Sequence, residues 1–171
     1  MIYLLDASVL ITANNLYYPI DRVPEYWGWL EYLGESGKVK IPQEIFEEIR
    51  DGPDDAEKDL LYGWLQDESV RNALLLAEDV DVHAVRHVVE RGYASDLTDT
   101  EVEMIGRDPF LIAYAIVDVP GRWVVTCEVS KRKLQRQNRR VPDVCDDLGV
   151  KWCDPFRMNR DLGFKTSWKQ K

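Results

Sequence analysis

Cysteine, histidine and long apolar runs are all scarce in this sequence, and each scarcity closes off a class of function. Its three cysteines, Cys127, Cys145 and Cys153, are an odd and scattered set. They make no disulfide framework and no CxxC knuckle, so they read as small buried hydrophobes of a protein in the reducing cytoplasm. The two histidines, His83 and His87, stand four apart on a predicted helix, but no third ligand at zinc-like spacing accompanies them. No apolar run nears the roughly 18 residues of a membrane span. The opening apolar stretch is ended by Asp6 and has no basic region before it, which predicts no signal peptide. A P-loop, a Gly-rich dinucleotide fingerprint and a nucleophile elbow are also missing. With 45% hydrophobic residues and neither repeat nor linker, the 171 residues are expected to form one domain spanning 1–171.

Positive charge is in deficit too, the formal net charge being −9, but the deficit is uneven. From Gln43 to Asp59 there are eight acids against Arg50 and Lys58. From Ser130 to Arg140 there are six bases and no acid. A short, concentrated basic segment in an acidic chain is suited to drawing in a phosphate backbone, although a solvated charged loop has the same composition. Lys131, Arg132, Lys133 and Arg136 are the expected contacts.

Strands and helices alternate along the chain. Ile2 to Leu5 reads as a strand, Val9 to Asn14 as a short helix, and residues 17–24 as an aromatic loop punctuated by proline. A helix is predicted from Glu25 to Gly34, with Trp27, Leu30 and Leu33 on one face. A strand follows over Lys38 to Ile41, then a helix beginning at Pro42. Residues 54–67 form a predicted helix whose apolar side carries Leu60, Leu61, Trp64 and Leu65, and the pattern from Val70 to Tyr93 is mostly helical. Pro109 starts an apolar helix through Val117, Trp123 to Thr126 is a β-branched strand, Val150 to Trp152 an edge strand, and Pro155 to Leu162 a closing helix. Parallel strands joined by helical crossovers predict an α/β sandwich.

Four acids occupy strand ends or amphipathic helices within this pattern. Asp6 ends the first buried strand, where open α/β sheets bind their ligands. Asp108 precedes Pro109, and Glu128 ends the segment Trp123-Val-Val-Thr-Cys-Glu128. On the helix after Pro42, Ile41, Ile45 and Ile49 mark the buried stripe. Glu48 lies about 60° from Ile45, at the stripe's edge, whereas Glu47 lies roughly 200° away and faces solvent. Glu44, about 100° away on the same flank, is a helper for Glu48. Ser8 and Thr126 carry hydroxyls beside Asp6 and Glu128. Asp6 and Asp108 also have the placing of helix N-caps, a role compatible with a second one. Oxygen-only ligands without thiol or imidazole favour a hard cation, Mg²⁺ or Mn²⁺.

The order of these motifs, strand-Asp6-x-Ser8, helix-borne Glu48-Ile49, Asp108-x-x-x-Ile112-Ala113 and Val125-Thr126-Cys127-Glu128, resembles that of PIN-domain ribonucleases. This family includes the toxins of many prokaryotic toxin–antitoxin pairs. The resemblance runs from Met1 to about Cys153. It implies a three-layer α/β/α sandwich with a central parallel sheet and with Asp6, Glu48, Asp108 and Glu128 gathered at one edge as metal ligands. It implies a cytoplasmic, metal-dependent endoribonuclease cutting single-stranded RNA, Asp6 and Asp108 binding the ion directly and Glu48 and Glu128 through water or at a second ion. An antitoxin protein and a second copy of the chain are the expected partners. Two features depart from the family pattern: the fourth acid is Glu rather than Asp, and the 15–24 loop and 54–93 helices exceed a minimal domain. An aspartyl phosphatase is disfavoured because Ser8 stands where its second acid belongs. The remaining alternative is a non-catalytic, degenerate PIN-like binding module whose acids serve only as caps. Trp27, Trp29, Tyr17 and Tyr18 fit either a core or a base-stacking platform.

Overall fold

In the computed structural model, which describes residues 1–51 and 56–169 (the side chains of 56–59 excepted), the apolar runs become a parallel sheet wrapped by helices. The four strands, β1 (Ile2–Leu5), β2 (Val39–Lys40), β3 (Arg122–Val125) and β4 (Lys151–Cys153), lie in the order β2-β1-β3-β4, all parallel. The central strands are short apolar runs because helices cover both faces, and Leu4, Leu5, Val124 and Val125 are fully buried. The result is the expected three-layer α/β/α sandwich.

Ten α-helices fill the outer layers among the described residues: α1 (Ala7–Thr12), α2 (Pro24–Glu35), α3 (Gln43–Asp51), α4 (Ala56–Gln66), α5 (Glu68–Leu74), α6 (Val82–His87), α7 (Asp99–Ile105), α8 (Asp108–Ile116), α9 (Val141–Leu148) and α10 (Pro155–Asp161). The predicted stripe of α2 is buried, and Tyr26 and Trp29 join it. The aromatic segment therefore goes to the core. Tyr18 stacks on Tyr26 at 4.2 Å and the indole of Trp27 donates to the Tyr18 carbonyl at 2.7 Å, while Tyr17 alone of the four platform candidates is exposed.

Several elements differ from expectation. A π-helical turn, Ala13–Tyr17, prolongs α1 into the predicted loop. The stretch from Val70 to Tyr93 is broken: after α5 the chain runs extended, and Leu75 bridges Ile41 in parallel, lengthening the sheet edge beyond β2. On α4, Leu61 and Leu65 are buried but Leu60 is exposed, and positions 54 and 55 of the predicted helix lie outside the described residues. Helices α7 and α9 were not expected.

The connection order places β1 and β3 at a switch point, since the chain leaves β1 toward β2 on one side and returns on the other to β3. In open α/β sheets the crevice at the carboxyl ends of such strands is the usual ligand position. The register pairs Leu5 with Val125, so Asp6 and Thr126 step out of the sheet side by side.

Candidate active site

Asp6 is the best-held of the four acids. Its backbone N–H donates to the Val125 carbonyl at 3.0 Å, and the residue is 5% exposed. One carboxylate oxygen accepts from the Thr126 hydroxyl at 2.6 Å and the Ser8 hydroxyl at 2.7 Å, and the other accepts from the Ser8 N–H at 3.4 Å, which makes Asp6 the expected cap of α1. The hydroxyls are themselves braced, Ser8 accepting from the Cys127 N–H and Thr126 from the Glu128 N–H, at 3.2 and 3.1 Å. Burial pushes the Asp6 carboxyl above its ordinary value; the Thr126 and Ser8 hydrogen bonds oppose that shift, and the charge of Glu128 adds to it.

Asp108 departs from the expected cap. The N–H groups of Phe110 and Leu111 bond to the Arg107 carbonyl, so α8 begins one residue earlier, with Arg107 in the cap position and no capping side chain. Among the described residues no hydrogen bond reaches the Asp108 carboxylate. Burial raises its pKa well above the usual range, and Asp6, Glu128 and Glu48 raise it further, against the smaller opposing effect of Arg140. The Glu48 carboxyl is also raised, by burial and then by Asp6, with Arg107 opposing, and its Oε2 is buried without a partner. Four acids scattered over the sequence thus share one electrostatic neighbourhood at the carboxyl edge of the sheet.

Glu44 does not join them. It acts on Tyr114, whose hydroxyl pKa it helps raise to about 12 after burial, the larger cause. Glu47 is half-buried rather than facing open solvent, because Arg107 pairs with it at 2.9 Å and with Asp51 at 3.2 Å. That fork ties the residue before Asp108 to the outer face of α3, and so fixes Asp108 relative to Glu48.

Glu128 is engaged more fully than the sequence suggested. Oε1 accepts from Arg140 and Oε2 from the Val141 N–H, at 2.7 and 2.8 Å, so this side chain satisfies the start of α9. Its role as a ligand is correspondingly weakened. Among the described residues no group of three or more His, Cys, Asp or Glu stands arranged to hold a metal ion as it is. His83 and His87 are both exposed.

The basic segment is also largely committed. Arg132 pairs with Asp146, and Arg139 with Asp147. Arg136 is a clamp: it grips both oxygens of Glu101 and the Asp96 carboxylate, all at 2.7–2.8 Å. It does so from the left-handed region, at φ 54°, which costs a non-glycine residue strain. Glu101 in turn closes the capping box of α7 with Thr98. Lys131 and Lys133 are exposed and form no ion pair among the described residues, whereas the Arg136 guanidinium is fully engaged by Glu101 and Asp96. Two residues of the site went unnoticed in the sequence. Arg140 bonds to Glu128 and lowers the Asp108 pKa, and Tyr93 presents a buried, unpartnered hydroxyl whose pKa is raised by burial and then by Asp108. The basic run contained the first; nothing local marked the second.

No curated protein matches the chain. A family model covers residues 3–166, and the chain accordingly belongs to that family, described as a domain of unknown function (DUF4411).

Proposed function

We propose that the protein is a metal-dependent endoribonuclease acting on single-stranded RNA, and the toxin of a toxin–antitoxin pair. The observation that carries the reading is the gathering of acids at the switch point of a parallel sheet: Asp6 fixed there by Thr126 and Ser8, Glu48 with a buried oxygen lacking a partner, and Asp108 without a hydrogen bond among the described residues, burial and the other three acids raising its pKa. Carboxylates crowded in this way, with Glu48 Oε2 left unpartnered, fit a hard divalent cation better than they fit one another. The donor set is oxygen throughout, which suits Mg²⁺ or Mn²⁺ with retained waters.

Asp6, Asp108 and Glu48 would hold the ion. When bound, it supplies charge neutralisation at the phosphoryl oxygens and acidifies the attacking water. The chain's own part is positional. Thr126 and Ser8 orient the Asp6 carboxylate, Arg107 fixes Asp108 against α3, and Arg140 holds Glu128 at the rim. Lys131 and Lys133 supply positive charge to offset the repulsion of RNA by the acids. The toxin assignment, and with it an antitoxin and a second copy of the chain as partners, rests on the resemblance to PIN-domain ribonucleases alone.

A second reading, a binding module that has lost catalysis, is favoured by the commitment of both Glu128 oxygens to Arg140 and α9. Cleavage of single-stranded RNA in Mn²⁺ by the parent and by Asp108→Asn separates the two. The parent is expected to cut, the variant to lose activity by orders of magnitude, and expression of the parent without its antitoxin to arrest growth while the variant does not. Equal cleavage by both would place the active site elsewhere, and no cleavage by either would favour the binding module.

A further inference from the structure

The acids occupy the carboxyl edge of the sheet, and a groove of opposite character lies at its amino edge. After α10 the chain turns back over α2. Phe164 packs edge-on against Tyr18 and Tyr26 at 5.6 and 5.2 Å, and the Trp168 indole donates to the Glu25 carbonyl at 2.8 Å. Between this tail and α2 lies a cavity of about 740 Å³, within the range of ligand sites. Its cations are Lys38, Lys165 and Lys169, and no acid lines it. None of the three lysines forms an ion pair among the described residues, so no carboxylate there neutralises them. Its aromatic wall is Tyr32 and Trp168, centroids 5.2 Å apart, with Tyr32 46% exposed. Lys169 lies over the Trp168 ring at 5.2 Å, so positive charge is held beside the aromatic surface. The groove continues past Lys38 and Leu162 into a second hollow of about 600 Å³ that reaches Met1 and Gly37. The one acid there, Asp161, is paired with Arg157.

We propose that this groove is a second RNA-binding surface, distinct from the acid site, that takes an unpaired strand of more than one nucleotide. A base stacks on the Tyr32–Trp168 pair while Lys38, Lys165 and Lys169 meet the backbone phosphates. Stacking platforms flanked by cations are the general means of holding single strands without reading sequence. The two hollows, adjoining at Lys38 and Leu162, together offer more room than a single nucleotide fills, which favours a strand. Among the described residues Tyr17, Tyr32 and Phe156 are the exposed large aromatics, and of the three only Tyr32 lines this groove. The surface stands whether or not the acids cut, because it lies at the other end of the strands and shares no residue with them.

The test is binding of a fluorescently labelled 12-nucleotide oligouridylate to the full chain in EDTA, which removes any metal-dependent interaction at the acids. Lys165→Gln/Lys169→Gln should weaken binding and flatten its salt dependence, the log–log slope falling by about 0.7 for each phosphate no longer neutralised. Tyr32→Ala, which leaves the Trp168 anchor in place, should weaken it about 5-fold or more. Arg86→Gln, an exposed charge change on α6, should leave it unchanged. A duplex of the same length should bind less tightly than the single strand, since its bases are not free to stack. Unchanged affinity and salt slope in both groove variants would overturn the proposal, as would an effect of Arg86→Gln as large as theirs. Uridine monophosphate alone binding as tightly as the oligonucleotide would overturn the assignment to a strand. Loss of cleavage by Asp108→Asn bears on the acid site and leaves these outcomes unaffected.

Discussion

Replacing Thr126 by valine keeps the shape of a fully buried side chain and deletes one oxygen that serves two partners. The hydroxyl donates to Asp6 at 2.6 Å and accepts from the Glu128 N–H at 3.1 Å. A hydrogen bond to a charged group contributes about 1.5–3 kcal/mol, and a buried N–H left unpaired costs about 1–3 kcal/mol. The two losses share one site and do not simply add, so the expected destabilisation at pH 7 is about 3 kcal/mol, or roughly 6–12 °C in a domain of this size. The penalty should depend on pH. Thr126 lowers the Asp6 pKa against the larger effect of burial, so it stabilises the ionised form. Above the raised folded pKa of Asp6 the full charge-assisted bond is lost in the variant; below the unfolded value, near 3.9, Asp6 is protonated in both states and only a neutral bond is lost. Urea denaturation of parent and variant in EDTA at pH 7 and at about pH 3 measures both. A difference under about 1 kcal/mol at pH 7, or one no smaller at the lower pH, would refute the claim that Thr126 holds Asp6 as a carboxylate.

Three further outcomes are expected. Asp108→Asn without metal should be more stable than the parent at pH 7. Its carboxyl is held well above the ordinary range, so between about 3.9 and that raised value the native parent holds more protons than the unfolded chain and loses stability as pH rises. The variant's advantage should vanish below about pH 4, and a variant less stable at neutral pH in thermal melts would contradict carboxylate crowding. Millimolar Mn²⁺ should raise the melting temperature of the parent, a ligand at 100 times its Kd adding about 2.7 kcal/mol, and should do so less for Asp108→Asn; equal shifts in the two would indicate binding elsewhere. Gly34→Ala should destabilise by about 1–3 kcal/mol, because its added Cβ would stand 2.7 Å from the Leu74 side chain and 2.8 Å from the Ala73 carbonyl, forcing α2 from α5. An unchanged melting curve would show that these helices have room to shift.

What the sequence revealed depended on whether a pattern was local. The strands and the helices α2, α3, α8 and α10 carry apolar periodicity or a first-turn proline, and they formed where that signal stood. Helix α7 has no apolar face, since Val102 and Met104 are exposed and only Ile105 is buried; its one local sign is the Thr98–Glu101 capping box. Helix α9 was legible in principle, with Val141, Val144, Cys145 and Leu148 at helical spacing, Pro142 in the first turn and Gly149 after the last. The preceding run of bases masks that pattern. The site divides the same way. Asp6 and Asp108 are marked by their places at a strand end and a helix start, and Glu48 by its place at the edge of the buried stripe of α3. The pairing of Glu128 with Arg140, the clamp of Arg136 on Glu101 and the approach of Tyr93 to Asp108 join segments 12 to 35 residues apart, and no spacing rule encodes them.

Those long-range pairings change where the negative charge of the site is concentrated. Arg140 sits directly on Glu128 and tempers Asp108 from farther off, and Arg107 tempers Glu48 while it grips Glu47 and Asp51. Asp6 has no cation among its chief influences; two hydroxyls and one N–H hold it, and dipoles of that kind orient a carboxylate without cancelling its charge. Asp108 has neither a hydrogen bond among the described residues nor a direct ion pair, and three acids act on it together. The uncompensated charge therefore falls between Asp6 and Asp108, with Glu48 beside them and Glu128 withdrawn into the cap of α9. A cation entering this edge would meet two carboxylates fixed by the sheet and by α8, and a third on α3 with a free oxygen. On these grounds the fourth acid acts through Arg140 and the start of α9, as a brace for the rim.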